Sequence, residues 1–481
     1  MTAAILWFRR DLRLDDNPAL HAALKDCRQL IPLYIYHPGE KSPWADGAAS
    51  RWWLHHSLAA LDGELRKRGS RLLIRQGEPL TILQELAHEQ EVRQLYWNRL
   101  SEPAIVERDR QIKKTLAGAG IDCQSFNSAL LFEPWEIRTG QDSPYKVFTA
   151  YWKACLRTGL PHDLPQPAPS SLPPPPKDLR SDRLEKLQLL PSIRWDSGLY
   201  DCWKPGEAPA QQQLDNFIAD AVDHYNNDRD SPGTEGTSRL SPHLHFGEIS
   251  PRQILQSVRN MTEFEESMAP TGQNVFMKQL GWRDFAHQLL FHFPQTADNP
   301  LDERFANYPW SRENDAGELL AAWQKGRTGF PIVDAGMREL WHTGWMHNRV
   351  RMIVASLLTK NLGIHWLEGA RWFWDTLVDA DLANNSMGWQ WTAGCGADAA
   401  PFFRIFNPVS QSERFDPRGS YIRKWIPELA KLPDKALHAP WMQKNEILAH
   451  AGIRPGQDYP LPIVDLKETR QRALDQWSRI K

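Results

Sequence analysis

Thr2-Ala3-Ala4-Ile5-Leu6-Trp7-Phe8-Arg9-Arg10-Asp11-Leu12-Arg13-Leu14-Asp15-Asp16-Asn17-Pro18 decides the fold of this 481-residue chain. Residues 2–8 read as a short strand buried on both faces, because an apolar run this brief ends in a charged turn. Asn17-Pro18 supplies an N-cap followed by proline at the first helical position, which predicts a helix to about Lys25. The turn between strand and helix holds no glycine. Neither the dinucleotide-binding glycine fingerprint nor a P-loop therefore sits at this strand end.

Working outward, the same alternation continues. Leu30 to Tyr36 is a second apolar run, and Trp53/Leu54, Leu58, Leu61 and Leu65 fall at helical spacing before Gly69. Arg71–Ile74 reads as a third strand, Pro79–His88 as a helix and Val92–Trp97 as a fourth strand. Pro103–Leu116 reads as a helix closed by Gly118 and Gly120, and Ile121–Phe126 as a fifth strand. Strands alternating with helices predict a doubly wound parallel α/β sheet over residues 1–135. The periodicity decays over 136–204, where Pro165-Gln166-Pro167-Ala168-Pro169 and Pro173 to Pro176 read as a stiff interdomain connection. From 205 to 481 apolar residues recur at helical spacing, as in Ile249–Val258, Phe276–Phe291, Ala316–Trp323, Val333–Trp341 and Val350–Leu358. This predicts a large all-α domain, and it holds most of the tryptophans.

Charge nearly cancels: 57 basic against 59 acidic residues leave a net of −2. Any contact with nucleic acid must then come from a local patch on a near-neutral body. Five scattered cysteines without a Cys-x-x-Cys pair argue against a disulfide framework or a zinc site and favour a reducing cytoplasm. The N-terminal apolar stretch is too short for a signal peptide or a membrane span, and nothing later reaches about 18 apolar residues. The 22 tryptophans exceed what packing usually asks for.

Three segments carry candidate chemistry. In Thr237-Ser238-Arg239-Leu240-Ser241, followed by Pro242, Ser241 reads as an N-cap and Pro242 as the first helical residue, so hydroxyls, a guanidinium and free N–H groups gather at a helix start. Such a place cradles a phosphate or simply caps a surface helix. Trp282-Arg283-Asp284 and Trp345-Met346-His347-Asn348-Arg349-Val350-Arg351-Met352 mix indoles with cations and amides inside helical runs. Those groups can stack bases and hold phosphates, or they can be core tryptophans beside a solvated arginine face. Asp379-Ala380-Asp381-Leu382-Ala383-Asn384-Asn385 puts two carboxylates and two amides ahead of Gly388-Trp389-Gln390-Trp391. Without histidine neighbours, and with asparagines that cannot titrate, an ion pair with a buried arginine is a better reading than a metal site or an acid/base couple.

Gly344 to Arg349, Asp379-x-Asp381-Leu382, Gly388 to Trp391 and Asp398-Ala399-Ala400-Pro401-Phe402-Phe403-Arg404-Ile405-Phe406-Asn407-Pro408 closely resemble the DNA photolyase/cryptochrome family. The opening stretch from Trp7 to Asn17 is similar to that family's first motif. The resemblance spans essentially the whole chain and is strongest to microbial enzymes that repair cyclobutane pyrimidine dimers. It implies one bent, non-covalently bound FAD in the helical domain. Tyr225, Thr237, Ser238, Arg239, Leu240 and Ser241 would hold its phosphates and ribityl chain, with Arg283 contributing from a neighbouring helix. Asn348, Arg351, Asp379, Asp381 and Asn385 would surround the isoalloxazine, with Asn385 facing N5, where an amide can hydrogen-bond but cannot supply a proton. Trp282 and Trp391 would wall the pocket for a flipped-out dimer. Asn348, Arg349, Met352 and Arg404 would edge it, and Arg229 would contact a phosphate at its rim. Trp310, Trp366 and Trp389 match the indole chain that reduces oxidised flavin under light.

Two departures stand out. Gln279 replaces the glutamate usual in dimer-repair enzymes, a swap that keeps a hydrogen-bonding group. It also occurs in relatives that repair the (6-4) photoproduct, but those carry histidine where Asn348 stands. The asparagine-glutamate pair that contacts folate in one subgroup aligns with Ala104 and Ile105, so an antenna pigment of folate or deazaflavin type is implied without its identity. The competing reading is a blue-light photoreceptor without repair activity. Such relatives commonly add a long C-terminal tail, whereas this chain stops soon after Trp477, and they commonly replace residues matching Asn385 or Trp282. A monomer without membrane contact is the default expectation.

Overall fold

The computed structural model describes residues 3–38, 43–262, 264–311, 313–402 and 404–480; Thr2 of the first strand and Phe403 of the last motif lie outside them. Five strands form one parallel sheet: β1 (Ala3–Phe8), β2 (Gln29–Tyr36), β3 (Leu73–Gln76), β4 (Gln94–Asn98) and β5 (Asp122–Phe126), in the order β3-β2-β1-β4-β5. Ile5 lies opposite Ile31 and Leu95, and Trp7 opposite Leu33 and Trp97. All six residues of β1 are buried, as a central parallel strand covered on both faces requires. The covering helices are α1 (Pro18–Asp26), α2 (Ala48–Lys67), α3 (Pro79–Glu89) and α4 (Pro103–Gly118). The Asn17 side chain caps α1 by accepting from the Leu20 N–H at 3.1 Å, as the sequence predicts. β3 begins at Leu73, two residues later than the Arg71 start read from the sequence, and the Leu72 N–H donates to Asp62 Oδ1, at 2.8 Å.

The charged turn after β1 is a buried polar network. Asp11 accepts from the Arg9 N–H and from Asn98 Nδ2, both at 2.6 Å, and Arg9 pairs with Asp109. Arg13, fully buried, donates to the carbonyls of Asp15, Asp16, Ser128 and Gly247. The strand order reverses between β1 and β4, and in sheets of this type that switch point is where ligands bind. Here the first turn at that point is filled by its own side chains. The same turn reaches far along the sequence. Asp16 accepts from Ser250 Oγ at 2.6 Å and pairs with Arg252 at 2.8 Å, and Gln253 donates to Asp15 at 2.6 Å. Gly247, at φ +65°, passes so close to the Arg10 carbonyl that a Cβ would lie 2.2 Å from it.

These ties explain how the chain divides. One compact unit comprises residues 1–196, 203–223 and 238–294, and the other comprises 197–202, 224–237 and 295–481. The boundaries read from the sequence at 135 and 204 follow composition, whereas residues 238–294 cluster with the sheet's unit, tied to it by long-range hydrogen bonds such as those of Ser250, Arg252 and Gln253. That unit also holds α5 (Phe148–Thr158), α6 (Glu207–Asp220), α7 (Pro251–Met261) and α8 (Gly272–His292). α5 falls where the sequence pattern was read as decayed, yet it buries Phe148, Tyr151, Trp152 and Cys155 at helical spacing. The second unit is helical. It contains α9 (Glu313–Gln324), α10 (Pro331–Thr343), α11 (Asn348–Ser356), α12 (Trp366–Thr376), α13 (Leu382–Ala393) and α14 (Leu466–Ser478). Lys360, buried between α11 and α12, donates to the carbonyls of Ala393 and Phe402 at 2.8 and 3.3 Å and so anchors the segment after α13. No helix among the described residues is long and apolar enough to cross a membrane.

Candidate functional site

α13 presents two faces of different character. Leu382, Ser386, Trp389, Gln390 and Ala393 are buried, while Asn384, Asn385, Gly388 and Trp391 share the open face. The Asp381 carboxylate caps the helix, accepting from the Asn384 N–H at 2.9 Å and its side-chain amide at 2.7 Å. Asn385 donates its amide to the Ala370 carbonyl at 2.9 Å, which leaves its oxygen as an acceptor. A Cβ on the exposed Gly388 would meet nothing within 4 Å. Mid-helix glycine costs about 1 kcal/mol relative to alanine, so a smooth open face beside a fixed acceptor suits the close approach of a flat ligand. Asp379 pairs with Arg351 at 2.8 Å, which is the ion pair the sequence implied; the arginine is part-exposed rather than buried. This donor and acceptor set fits a flavin ring: a carbonyl oxygen from Asn385, carboxylates at Asp379 and Asp381, and a guanidinium from Arg351.

Trp345, Met346 and His347 precede α11 instead of lying within it. His347 is the N-cap, and its Nδ1 accepts from the Arg349 N–H at 3.2 Å. Burial pushes its imidazole down to about 4, so it is neutral at physiological pH and adds no charge to the arginines around it. Asn348, the first residue of α11, is exposed.

On the buried face of α13, Trp389 packs 5.0 Å from the Phe373 ring and 6.1 Å from Trp323. The approach of α12 depends on Gly369, where a Cβ would lie 2.1 Å from Trp389 Cη2. Trp366 is buried and connects to the half-buried Trp310 through His365, with both ring separations 5.7 Å.

Tyr225 is buried, with the Arg229 guanidinium 5.5 Å from its ring. Thr237 and Ser238 are half-buried, and the Ser238 carbonyl accepts from Gln213 at 3.0 Å. Arg239 adopts φ +52°, a left-handed conformation costly for a residue with a side chain, and its guanidinium stacks 4.6 Å from the Trp203 ring. The helix that follows starts at Ser241 itself, with Leu240 as N-cap and no side-chain cap, and ends at His245. This corrects the reading of Ser241 as an N-cap. Five residues also sum too few peptide dipoles for a strong positive end, so hydroxyls and backbone N–H groups are what this loop offers. Arg283 donates to the carbonyls of Ala129 and Leu244, and so bridges the start of α8's second half to this loop.

Trp282, on α8, lies flat on Phe148 at a centroid distance of 3.7 Å and 12° between planes. Phe148 in turn stacks on Trp152 at 6.4 Å. The half-buried indole is therefore backed on one face. Gln279, one turn earlier, donates to its own helix at Val275, at 2.9 Å. Asp284 is buried and accepts from the N–H groups of Leu131 and Phe132 at 2.9 and 3.0 Å, and burial pushes its carboxyl up to about 7. A folded-state value above the unfolded one means stability that is complete below the ordinary carboxylate range and is lost as pH rises towards 7. In urea unfolding, Asp284→Asn should remove that loss, worth on the order of 2–4 kcal/mol between pH 4 and 8. Parallel profiles for variant and wild type would contradict the assignment.

Arg229 and Arg349 share one carboxylate. Asp230 lies 2.7 Å from Arg349 and 3.8 Å from Arg229, and the Arg349 guanidinium sits 4.3 Å over the Phe415 ring. Met352 receives an Arg349 N–H at 3.8 Å, Trp391 is half-buried and Arg404 is exposed. The sequence reading singled out neither Phe148 nor Asp230. An aromatic two residues after Tyr145-Lys146 and an acid directly after Arg229 carry no signal without the fold. Ala104 and Ile105, the positions matched to a folate-contacting pair, fall in the first turn of α4.

Family comparison agrees with this geometry. Residues 4–170 match the DNA photolyase family model, and residues 276–479 match that of the FAD binding domain of DNA photolyase. The chain is 44% identical to a deoxyribodipyrimidine photo-lyase of Agrobacterium fabrum, covering 99% of this chain and 98% of that protein. It is 38% identical to Cryptochrome-1 of Arabidopsis thaliana over 99% of this chain and 70% of that protein. Its fold superposes on a class III photolyase from Agrobacterium tumefaciens with a TM-score of 0.94 and 43% identity, covering 100% of this chain and 98% of the other. With the parallel sheet, the helical flavin domain and both halves matched in order, this chain belongs to the DNA photolyase/cryptochrome family and carries its FAD-binding domain.

Proposed function

We propose that this protein is a light-driven enzyme that splits cyclobutane pyrimidine dimers in DNA. Bound FAD, reduced and excited by blue light, supplies the electron that opens the cyclobutane ring and takes it back afterwards. The protein's task is to hold that cofactor, receive the flipped dimer and keep water away. Asn385 keeps an acceptor oxygen at the position matched to flavin N5 and has no proton to give, which favours the anionic reduced cofactor. Arg351 and Asp379 fix the ring's polar edge. Tyr225, Thr237, Ser238, Arg239, Leu240 and Ser241 line the phosphate and ribityl region, and Asn348 and Asp381 complete the set. Trp282 and Trp391 stack the dimer, Gln279 hydrogen-bonds to it, and Arg229, Arg349, Met352 and Arg404 edge the pocket. An antenna pigment of folate or deazaflavin type would feed energy to the flavin.

The observation that carries the reading is the Trp282 indole, half-buried and held flat against Phe148, as a stacking platform for a base would be. Replacing it should weaken binding of a dimer-containing duplex by about 1–3 kcal/mol, with the yellow flavin colour retained. Titration of Trp282→Ala and wild type against labelled duplexes measures this. Equal affinities, or a colourless variant, would contradict the assigned role. The 38% identity to a plant cryptochrome supports a second reading, a flavin photoreceptor without repair, which predicts no preference for damaged duplex.

A further inference from the structure

The loop read as the cradle of the cofactor's phosphates holds a strained residue. Arg239, at φ +52°, stands in the left-handed region, which a residue with a side chain keeps only where its surroundings hold it there. Its guanidinium lies 4.6 Å from the ring of Trp203, a buried indole thirty-six residues earlier in the chain. Trp203 in turn packs edge-on against Trp53, with ring centroids 5.4 Å apart at 64°. Trp53 donates its indole N–H to Glu248 Oε1 at 3.1 Å, and the Gly206 N–H donates to the same oxygen at 2.7 Å. The other Glu248 oxygen meets His243 Nδ1, in the short helix that follows the loop. One fully buried carboxylate therefore ties down the chain both before and after residues 237–241.

We infer that Trp203 is a positioning residue for the flavin cofactor: its stack on Arg239 holds the 237–241 loop in the backbone conformation that aims hydroxyls and N–H groups at the phosphates and ribityl chain. The inference rests on the proposed assignment of that loop to FAD. Released from the stack, Arg239 relaxes to negative φ, and the N–H groups around it turn with it. FAD then binds only the fraction of molecules still in the strained conformer, and its apparent affinity falls by that fraction. Glu248 serves the same end at one remove, because it fixes Trp53 and the Gly206 turn against which Trp203 is set.

The test is a double-mutant cycle of Trp203→Leu and Arg239→Gly, read by the dissociation constant of FAD from the fluorescence of cofactor released on diluting the holoprotein. Glycine occupies positive φ about as readily as negative, so in Arg239→Gly the loop needs no stack. Trp203→Leu alone should weaken FAD binding by about three- to thirtyfold, the range of a cation–π contact. Added to Arg239→Gly, the same change should cost less than about twofold. A purely structural Trp203 would cost the same factor in both backgrounds. That additivity, or an unchanged FAD affinity in Trp203→Leu, overturns the inference. If Trp203→Leu does not fold, Trp203→Phe carries the same cycle, with a ring kept in place and a weaker cation–π face. The combined variant Thr237→Ala/Ser241→Ala checks the loop itself. If it binds FAD as wild type does, the assignment of the loop to the cofactor fails, an outcome separate from failure of the stack.

Discussion

Trp389→Phe is expected to abolish light-driven reduction of oxidised flavin, lowering its rate by more than about tenfold, while repair by chemically reduced enzyme stays near wild type. The indole is buried and sits on α13 one turn beyond Asn385, and on the proposed reading it would be the donor that hands an electron to oxidised cofactor. Phenylalanine keeps an aromatic ring between Phe373 and Trp323 but removes the easily oxidised group. Repair that starts from reduced cofactor does not need the route. Absorbance in blue light under reductant follows the first quantity, and dimer loss after dithionite treatment follows the second. Wild-type photoreduction in the variant would move the donor to another indole, with Trp323, 6.1 Å away, the first to replace next. Loss of repair after chemical reduction would show that Trp389 shapes the flavin pocket itself.

Gly369→Ala should be among the most damaging single-methyl changes in the helical unit. The added Cβ would stand 2.1 Å from Trp389 Cη2 and 2.5 Å from Cζ3, and a buried indole wedged between helices cannot retreat by the ångström or more required. Overpacking of this kind costs roughly 1–3 kcal/mol, and more where the neighbour is rigid. The expected result is a lower melting temperature together with loss of flavin, since α13 carries both Trp389 and Asn385. Gly63→Ala in α2 is the control, because its Cβ would meet nothing within 4 Å and the change should be neutral or stabilise by up to about 1 kcal/mol. Combining Gly369→Ala with Trp389→Phe should recover part of the loss, because the smaller ring vacates the contested space and the two changes are coupled through it. Additive losses would place the damage elsewhere.

The sheet was readable from sequence because each strand is an apolar run closed by a marked helix start, such as Asn17-Pro18. Its strand order rests on pairings between residues as distant as Trp7 and Trp97, and no local pattern encodes them. α5 escaped because Tyr151, Trp152 and Cys155 are weak helix formers, sitting in a proline-rich neighbourhood; their spacing was the signal. The turn from Arg9 to Asp16 was visible as a motif, but its structural role depends on Ser250, Arg252 and Gln253, more than two hundred residues on. In the site, the Arg351–Asp379 pair and the amide of Asn385 were legible through residue chemistry. Phe148 beneath Trp282, and Asp230 between two arginines, become visible only when distant segments meet.

Repair itself tests the central claim most directly. Ultraviolet-damaged oligothymidylate, mixed with the reduced, FAD-loaded protein and exposed to blue light, should regain thymine absorbance near its ultraviolet maximum. Dark samples and samples without protein should not. Wild-type protein that binds FAD and photoreduces it, yet restores no absorbance over many equivalents of light, would contradict dimer repair and leave the photoreceptor reading in its place.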